Sequence, residues 1–139
     1  MTTVRSRPVE RERYRHFLGR AEQLLRGMNR SSEAGDMVAA GVDGVQCAIA
    51  LVDAVTCAFL GRVATGQSHD QAVDLLRRSG AHGAGEHAKQ FARVIELKYA
   101  MAYDDRLPTD EEADLVVDRV RRLHRWAASV LPQHAAERE

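Results

Sequence analysis

Residues 37–60 read MVAAGVDGVQCAIALVDAVTCAFL and form the most apolar stretch of the chain. Apolar side chains surround most of the axis of the helix that this stretch predicts, so we expect a central, buried helix. At 100° per residue its polar exceptions fall within an arc of roughly 100°; they are Asp36, Asp43, Gln46 and Asp53. These polar interruptions predict a soluble protein with no membrane span.

Two glycines, Gly41 and Gly44, lie inside this central helix. Each costs about 1 kcal/mol of helix propensity relative to alanine. We therefore expect another backbone to approach the helix closely at this point. Ser31 or Ser32 is the predicted N-cap, because a serine hydroxyl accepts a hydrogen bond from the first free amides of a helix.

The two cysteines, Cys47 and Cys57, belong to the same predicted helix. Ten helical residues rise about 15 Å, which is too far for a disulfide within one helix. Reduced, buried thiols are typical of the cytoplasm, and residues 1–15 contain no apolar segment of a secretory signal. The sequence thus predicts a cytoplasmic protein.

Four further helices are predicted around the central one, and no strand. They cover residues 9–30, 70–78 and 85–103, and a last helix that begins at the capping box Thr109/Glu112 and stops at Pro132. Long helices joined by short breaks predict an all-α, up-and-down antiparallel bundle of about five helices. We expect one domain over residues 1–139, with its core in residues 9–131 and loose ends at 1–8 and 132–139.

Composition limits the classes of function. The 139 residues include 20 basic and 20 acidic side chains, and 45% are hydrophobic, which predicts an ordered single domain. The balanced charge disfavours non-specific nucleic-acid binding driven by overall charge. Arginine outnumbers lysine 18 to 2, and its guanidinium suits bidentate phosphate contacts, so local contact with RNA stays compatible with the composition.

No motif for a metal or a cofactor is present among the six histidines or the glycines. Three Arg-x4-His spacings occur: Arg11/His16, Arg77/His82 and Arg119/His124. Two residues five apart on an unbroken helix diverge by about 140°, so such a pair acts together only at a helix break or across two subunits. His124 borders the apolar stripe of the last helix, where a packed histidine is the alternative interpretation.

Three segments of the chain follow one another in an order that is similar to that of a known family. Residues 41–61, GVDGVQCAIALVDAVTCAFLG, are followed by SHDQAVDLLRRSG at 68–80 and by ELKYAMAYDDRLPTDEEADLVVDRVRRLHRWAASVL at 96–131. This order resembles the HEPN superfamily of small helical bundles, especially its compact bacterial members, over residues 20–131. The resemblance implies an up-and-down bundle that forms a homodimer. Many such proteins are metal-independent endoribonucleases, whose dimer interface brings together Arg-x4-6-His motifs.

The chain departs from that motif. At the helix end expected to carry it stand Lys98 and Tyr103. Lysine meets a phosphate as a point charge, and a tyrosine with a pKa of about 10 is a poor proton shuttle at neutral pH. The pair therefore suits phosphate binding or an interface better than catalysis, the alternative being a lysine that only snorkels and a tyrosine that tethers the turn. Arg119 and His124 keep the spacing but lie deeper in the last helix.

The sequence thus predicts a non-catalytic, homodimeric accessory factor that binds a nucleotide, RNA or a protein in a bacterial cytoplasm, without metal or cofactor. The predicted binding residues are Lys98, Tyr103, Asp53 and Arg93, with Asp43 or Asp53 pairing with Lys98 or Arg93 at the edge of the bundle. The alternative is a metal-independent endoribonuclease of the toxin–antitoxin or phage-defence kind, with Arg119 and His124 as catalytic candidates. A third hypothesis is an unrelated bundle with a structural role.

Overall fold

The computed structural model describes residues 4–66, 69–103 and 108–131. The described chain folds into an all-α bundle of five helices with one small two-stranded sheet, which confirms the predicted fold class. The helices are α1 (Tyr14–Glu33), α2 (Met37–Leu60), α3 (Asp70–Arg77), α4 (Ala84–Tyr103) and α5 (Asp110–Val130). The strands are β1 (Ser6–Pro8) and β2 (Arg62–Ala64), and a 3-10 helix (Arg11–Arg13) precedes α1.

Helix α2 lies at the centre and contacts all four other helices. It runs antiparallel to α1, since Cys47 of α2 donates a hydrogen bond to the carbonyl of Ala21 at 3.2 Å while Gly44 lies beside Met28. Thirteen of its residues are buried, from Ala40 to Cys57. Their burial supplies most of the hydrophobic contacts that hold the helices together.

By length and mean hydropathy α2 could cross a membrane, with a mean of 1.6 over its most apolar 18 residues. In this fold 61% of that window is buried against the rest of the bundle. Of its polar residues, Gln46 is exposed, and Asp43 and Asp53 are partly buried. Such burial is what the core helix of a helical bundle shows.

The turn between α1 and α2 corrects the predicted helix start. Gly35 has φ +78°, a left-handed conformation that glycine adopts without the steric cost of a Cβ, and it reverses the chain. Ser31 and Ser32 belong to the last turn of α1, so neither is the N-cap of α2. Helix α2 begins instead at Met37, and α1 extends three residues beyond the predicted end at residue 30.

The last helix agrees with its sequence pattern. The Thr109 hydroxyl accepts from the Glu112 amide at 3.1 Å, and the Glu112 carboxylate accepts from the Thr109 amide at 2.9 Å, so the predicted capping box is formed. Leu131 has an extended backbone, as expected for the residue that precedes a proline. The buried side of α5 packs against α2 with an apolar stripe that includes Val116 and Val120.

The segment before α1 is ordered from residue 4, so the prediction that residues 1–8 are loose is wrong for Ser6–Pro8, as is the absence of strands. β1 pairs antiparallel with β2, and the Gln71 side chain accepts from the Arg5 amide at 2.8 Å. The Val9 amide donates to the carbonyl of Gly61 at 2.9 Å. We call residues 5–9 the N-terminal strap, because they hold the end of α2 to the start of α3.

The two glycines of α2 differ in what surrounds them. A Cβ on Gly44 would lie 2.8 Å from Cγ1 of Val116 and 3.1 Å from Sδ of Met28. Gly44 thus permits close packing of side chains from α5 and α1, not the backbone contact that we expected. Around Gly41 no heavy atom of a neighbouring element lies within 4 Å of such a Cβ. Close packing therefore does not offset the helix propensity that Gly41 costs.

These two glycines give a matched test of core packing. We expect Gly44→Ala to lower the free energy of unfolding by about 1–2 kcal/mol, because overpacking exceeds the gain in helix propensity. Gly41→Ala, with open space around its Cβ, should raise that free energy by up to about 1 kcal/mol. Urea unfolding at equal m-values measures both, and equal effects of the two variants would contradict the packing that we describe.

Candidate functional site

Of the predicted binding residues, Lys98 makes the most specific contact. Its ammonium Nζ lies 3.0 Å from Nε2 of His69, the N-cap residue of α3, which the sequence did not single out. Burial and then the Lys98 ammonium lower the pKa of His69, and the Asp70 carboxylate opposes them. A neutral imidazole has one acceptor nitrogen, so Lys98 donates to Nε2 while Nδ1 carries the proton.

This Lys98–His69 corner adjoins the N-terminal strap. Gln71, one residue into α3 from Asp70, accepts the Arg5 amide, so the strap, α3 and the later half of α4 meet here. Both Lys98 and His69 are partly buried. Tyr103 is the last residue of α4, and its side chain lies outside the described residues.

The other two predicted binding residues lie elsewhere. Asp53 of α2 is half-buried, and Arg7 of the strap and Arg20 of α1 are the charged groups that act on its carboxylate. Arg93 pairs with Glu96 on the exposed side of α4, at 3.2 Å. The predicted pairing of Asp53 with Lys98 or Arg93 is therefore wrong, since Lys98 contacts His69 and Arg93 pairs with Glu96.

Burial disfavours the charged form of the Asp53 carboxylate. Desolvation raises the pKa of Asp53 from 3.8 to about 6, although Arg7 and Arg20 both lower it. Among the described residues no hydrogen bond reaches the carboxylate, and the hydroxyl of Thr56 bonds the backbone carbonyl of Asp53 instead. The charged form of Asp53 therefore destabilises the fold at neutral pH.

The two catalytic candidates of the endoribonuclease hypothesis face different neighbours. Arg119 donates through Nη1 to the side-chain carbonyl of Gln90 on α4, and its Nε is buried without a hydrogen-bond partner among the described residues. His124 contacts the Glu22 carboxylate on α1, with 3.1 Å between Nε2 and Oε2. Arg119 and His124 therefore do not come together within one chain. This separation is what the divergence of two residues five apart on a helix predicts.

His124 instead belongs to a polar seam between α1 and α5. One turn earlier on α5, Arg121 donates through Nε and Nη2 to Oδ1 of Asn29, at 3.0 and 2.8 Å. The two contacts tie the same pair of helices at points one to two turns apart. Their partners are separated by 92 and 102 residues in sequence, so no local spacing signals them.

His82, in the turn between α3 and α4, and His87, in the first turn of α4, have a packing role. The His87 ring stacks on Trp126 with 4.4 Å between centroids and 7° between planes. The Trp126 indole donates to the carbonyl of His82 at 2.7 Å, and Gly83 has φ +85° where the chain turns beneath it. No group of three or more potential metal ligands occurs in the described ranges.

The cysteines offer no nucleophile. Both thiols are free and buried, in line with the predicted reduced state. Desolvation, followed by the charges of Glu22 and Asp43, raises the pKa of Cys47 to about 12. Desolvation also raises the pKa of Cys57, whose thiol donates to the carbonyl of Glu10 at 3.2 Å. A thiol must ionise to attack, so neither side chain is activated.

Comparison of the chain with protein-family models, with curated proteins and with solved structures found no match. The resemblance to the HEPN superfamily therefore stays a prediction.

The position of Asp53 sets a pH dependence of stability. Because its pKa is raised on folding, the folded chain binds more protons than the unfolded chain between pH 4 and 6, and stability falls over that interval as pH rises. We expect Asp53→Asn to be more stable than the wild type at pH 7.5 by about 1–3 kcal/mol, and the difference to shrink towards pH 4.5.

Urea unfolding across pH 4.5–7.5 measures this difference. Asp114→Asn, which neutralises an exposed carboxylate on α5, is the matched control and should follow the wild-type curve. Parallel curves for Asp53→Asn and the wild type would show that burial does not disfavour the charged carboxylate.

Proposed function

We propose that this chain is a non-catalytic, HEPN-like accessory protein of the cytoplasm that acts as a homodimer and binds the phosphate group of a nucleotide or RNA. The observation that carries this proposal is the contact of 3.0 Å between Lys98 and His69 at the start of α3. It provides a partly buried ammonium in a fixed position, next to the positive end of a helix dipole.

The chemistry of the Lys98–His69 corner favours binding over proton transfer. Nε2 of the neutral His69 ring accepts a hydrogen bond from the Lys98 ammonium. The ring therefore orients the lysine, and the basic nitrogen of the ring is already engaged. An ammonium attracts a phosphate oxygen as a point charge, without needing bidentate geometry. Asp70 in the first turn of α3 offsets part of the positive potential, so we expect weak binding of phosphate.

The separation of Arg119 from His124 supports the non-catalytic part of the proposal. General acid–base cleavage of RNA needs a phosphate ligand and a proton acceptor at one substrate, within hydrogen-bond reach of the reacting atoms. In this fold Arg119 is engaged by α4 and His124 by α1. An active site from this pair would require a second chain to complete it.

Phosphate binding can be measured with the chain's own matched control, because it contains two lysines, both on α4. Titration of inorganic phosphate, then of AMP and a short RNA, is followed through the backbone amide signals of α3. We expect Lys98→Ala to weaken binding by roughly tenfold, as for the loss of a charge-assisted hydrogen bond, and Lys98→Arg to retain it. Lys89→Ala, at an exposed position, should bind as the wild type does.

Equal phosphate affinity in Lys98→Ala and the wild type would overturn the site. If phosphate and AMP bind alike while RNA adds nothing, the ligand is a nucleotide or free phosphate. A gain of affinity with RNA length identifies a phosphodiester chain instead.

The non-catalytic character has its own test. We expect folded wild-type protein incubated with RNA in EDTA to show no cleavage above buffer, and His124→Ala to be indistinguishable from it. Electrophoresis of labelled RNA measures both. Cleavage by the wild type that His124→Ala abolishes would establish the endoribonuclease alternative and place its active site on α5.

A further inference from the structure

Opposite charges separate onto the first two helices of the chain. Helix α1 carries four arginines and two glutamates, whereas α2 carries two aspartates and neither arginine nor lysine, with Asp36 directly before it. Arg20, Arg26 and Arg30 line one groove together with Asp43, and Asp36 lines the groove next to it, so basic and acidic residues lie side by side on one side of the bundle. We call this side the α1/α2 face.

Two shallow grooves meet on the α1/α2 face at Asp43. One, of about 560 Å³, is mainly basic and is lined by Arg20, Gln23, Leu24, Arg26, Gly27, Arg30 and Asp43. The other, of about 530 Å³, is mainly apolar and is lined by Asp36, Met37, Val38, Ala39, Val42 and Asp43. A Cβ on Gly27 would lie 2.8 Å from Oδ2 of Asp43, so this glycine lets the carboxylate rest directly against α1.

The apolar groove exposes the large side chains that the bundle leaves uncovered. Val38 is 45% exposed and Val42 is 58% exposed, and they are the exposed large hydrophobic residues of the described chain. They lie one turn apart on the same side of α2, beside Gln46, which is also exposed. A contiguous apolar patch with a charged border is typical of a protein interface.

The charged rows on the α1/α2 face are not paired with each other. In the described ranges Arg20, Arg26 and Arg30 form no ion pair within 4.0 Å, and neither do Asp36 and Asp43. Each row thus keeps its charge available to a molecule that covers the face.

We propose that the α1/α2 face docks against the same face of a second copy of this chain. Two-fold symmetry then brings the basic row of each α1 (Arg20, Arg26, Arg30) towards the acidic residues Asp36 and Asp43 of the other copy, with Val38 and Val42 at the centre. This inference rests on the proposed homodimer and assigns its surface. A nucleic acid fits less well, because the acidic row would repel its phosphates.

The size of the α1/α2 face agrees with this role. A helix of 24 residues is about 36 Å long, and two packed helices are about 20 Å wide, so the face offers about 700 Å². A stable interface buries about 800 Å² on each partner. The zero net charge of the chain adds no overall repulsion between copies.

A charge swap tests the assignment. One variant carries Asp36→Arg and Asp43→Arg, and the other carries Arg26→Glu and Arg30→Glu. In a symmetric dimer of either variant, like charges would face each other at both copies of the contact. We expect the wild type to be a dimer in sedimentation equilibrium, each variant to dissociate at least roughly tenfold more readily, and their equimolar mixture to form a heterodimer. A reversal on α5, Asp118→Arg with Arg122→Glu, is the matched control and should stay dimeric.

The outcomes separate this inference from the phosphate site. Dimers that survive both charge reversals would place the interface on another surface. A wild type that is still monomeric at about 100 µM, a concentration at which even a weak dimer is populated, would overturn self-association. Variants that are folded by circular dichroism but fail to form a heterodimer would also contradict the charge pairing. Phosphate titration of the same samples reports on the Lys98–His69 corner, which lies away from the substituted residues.

Discussion

The burial of α2 is the constraint on which the rest of the structure depends. A 24-residue helix with thirteen buried residues needs neighbours on most of its circumference, and the chain supplies them with α1, α3, α4 and α5. Small side chains along α2 let these neighbours approach, and Gly44 marks a close contact, where Val116 and Met28 meet the helix. The side that remains exposed carries Val38, Val42 and Gln46.

The helices and their order follow from apolar periodicity, and the Thr109 capping box forms as its spacing predicts. What periodicity could not supply is the conformation of single residues and the pairing of distant ones. Gly35 ends α1 by a left-handed turn, an event that moves the start of α2 by several residues without changing the apolar pattern. β1 has three residues, and its partners in β2 lie 54–58 positions later in the chain, so it leaves no alternation long enough to detect.

The site was predictable only in part. Lys98 was singled out because of its place at a helix end, but His69, its partner, lies 29 residues away in a different helix cap. Asp53 was identified as a polar residue in an apolar helix, yet the arginines that act on it come from the strap and from α1. Side-chain contacts between helices depend on rotation about each helix axis, and a single sequence specifies that rotation only loosely.

The N-terminal strap has a consequence for synthesis of the chain. β1 has no partner until residues 62–64 have left the ribosome, because its ladder is formed with β2 alone. Helix α1 and the whole of α2 are therefore made while the arginine-rich start of the chain is still free. Folding during synthesis generally proceeds from the N-terminus. Here the first residues that are made form their strand only after α1 and α2 have been made.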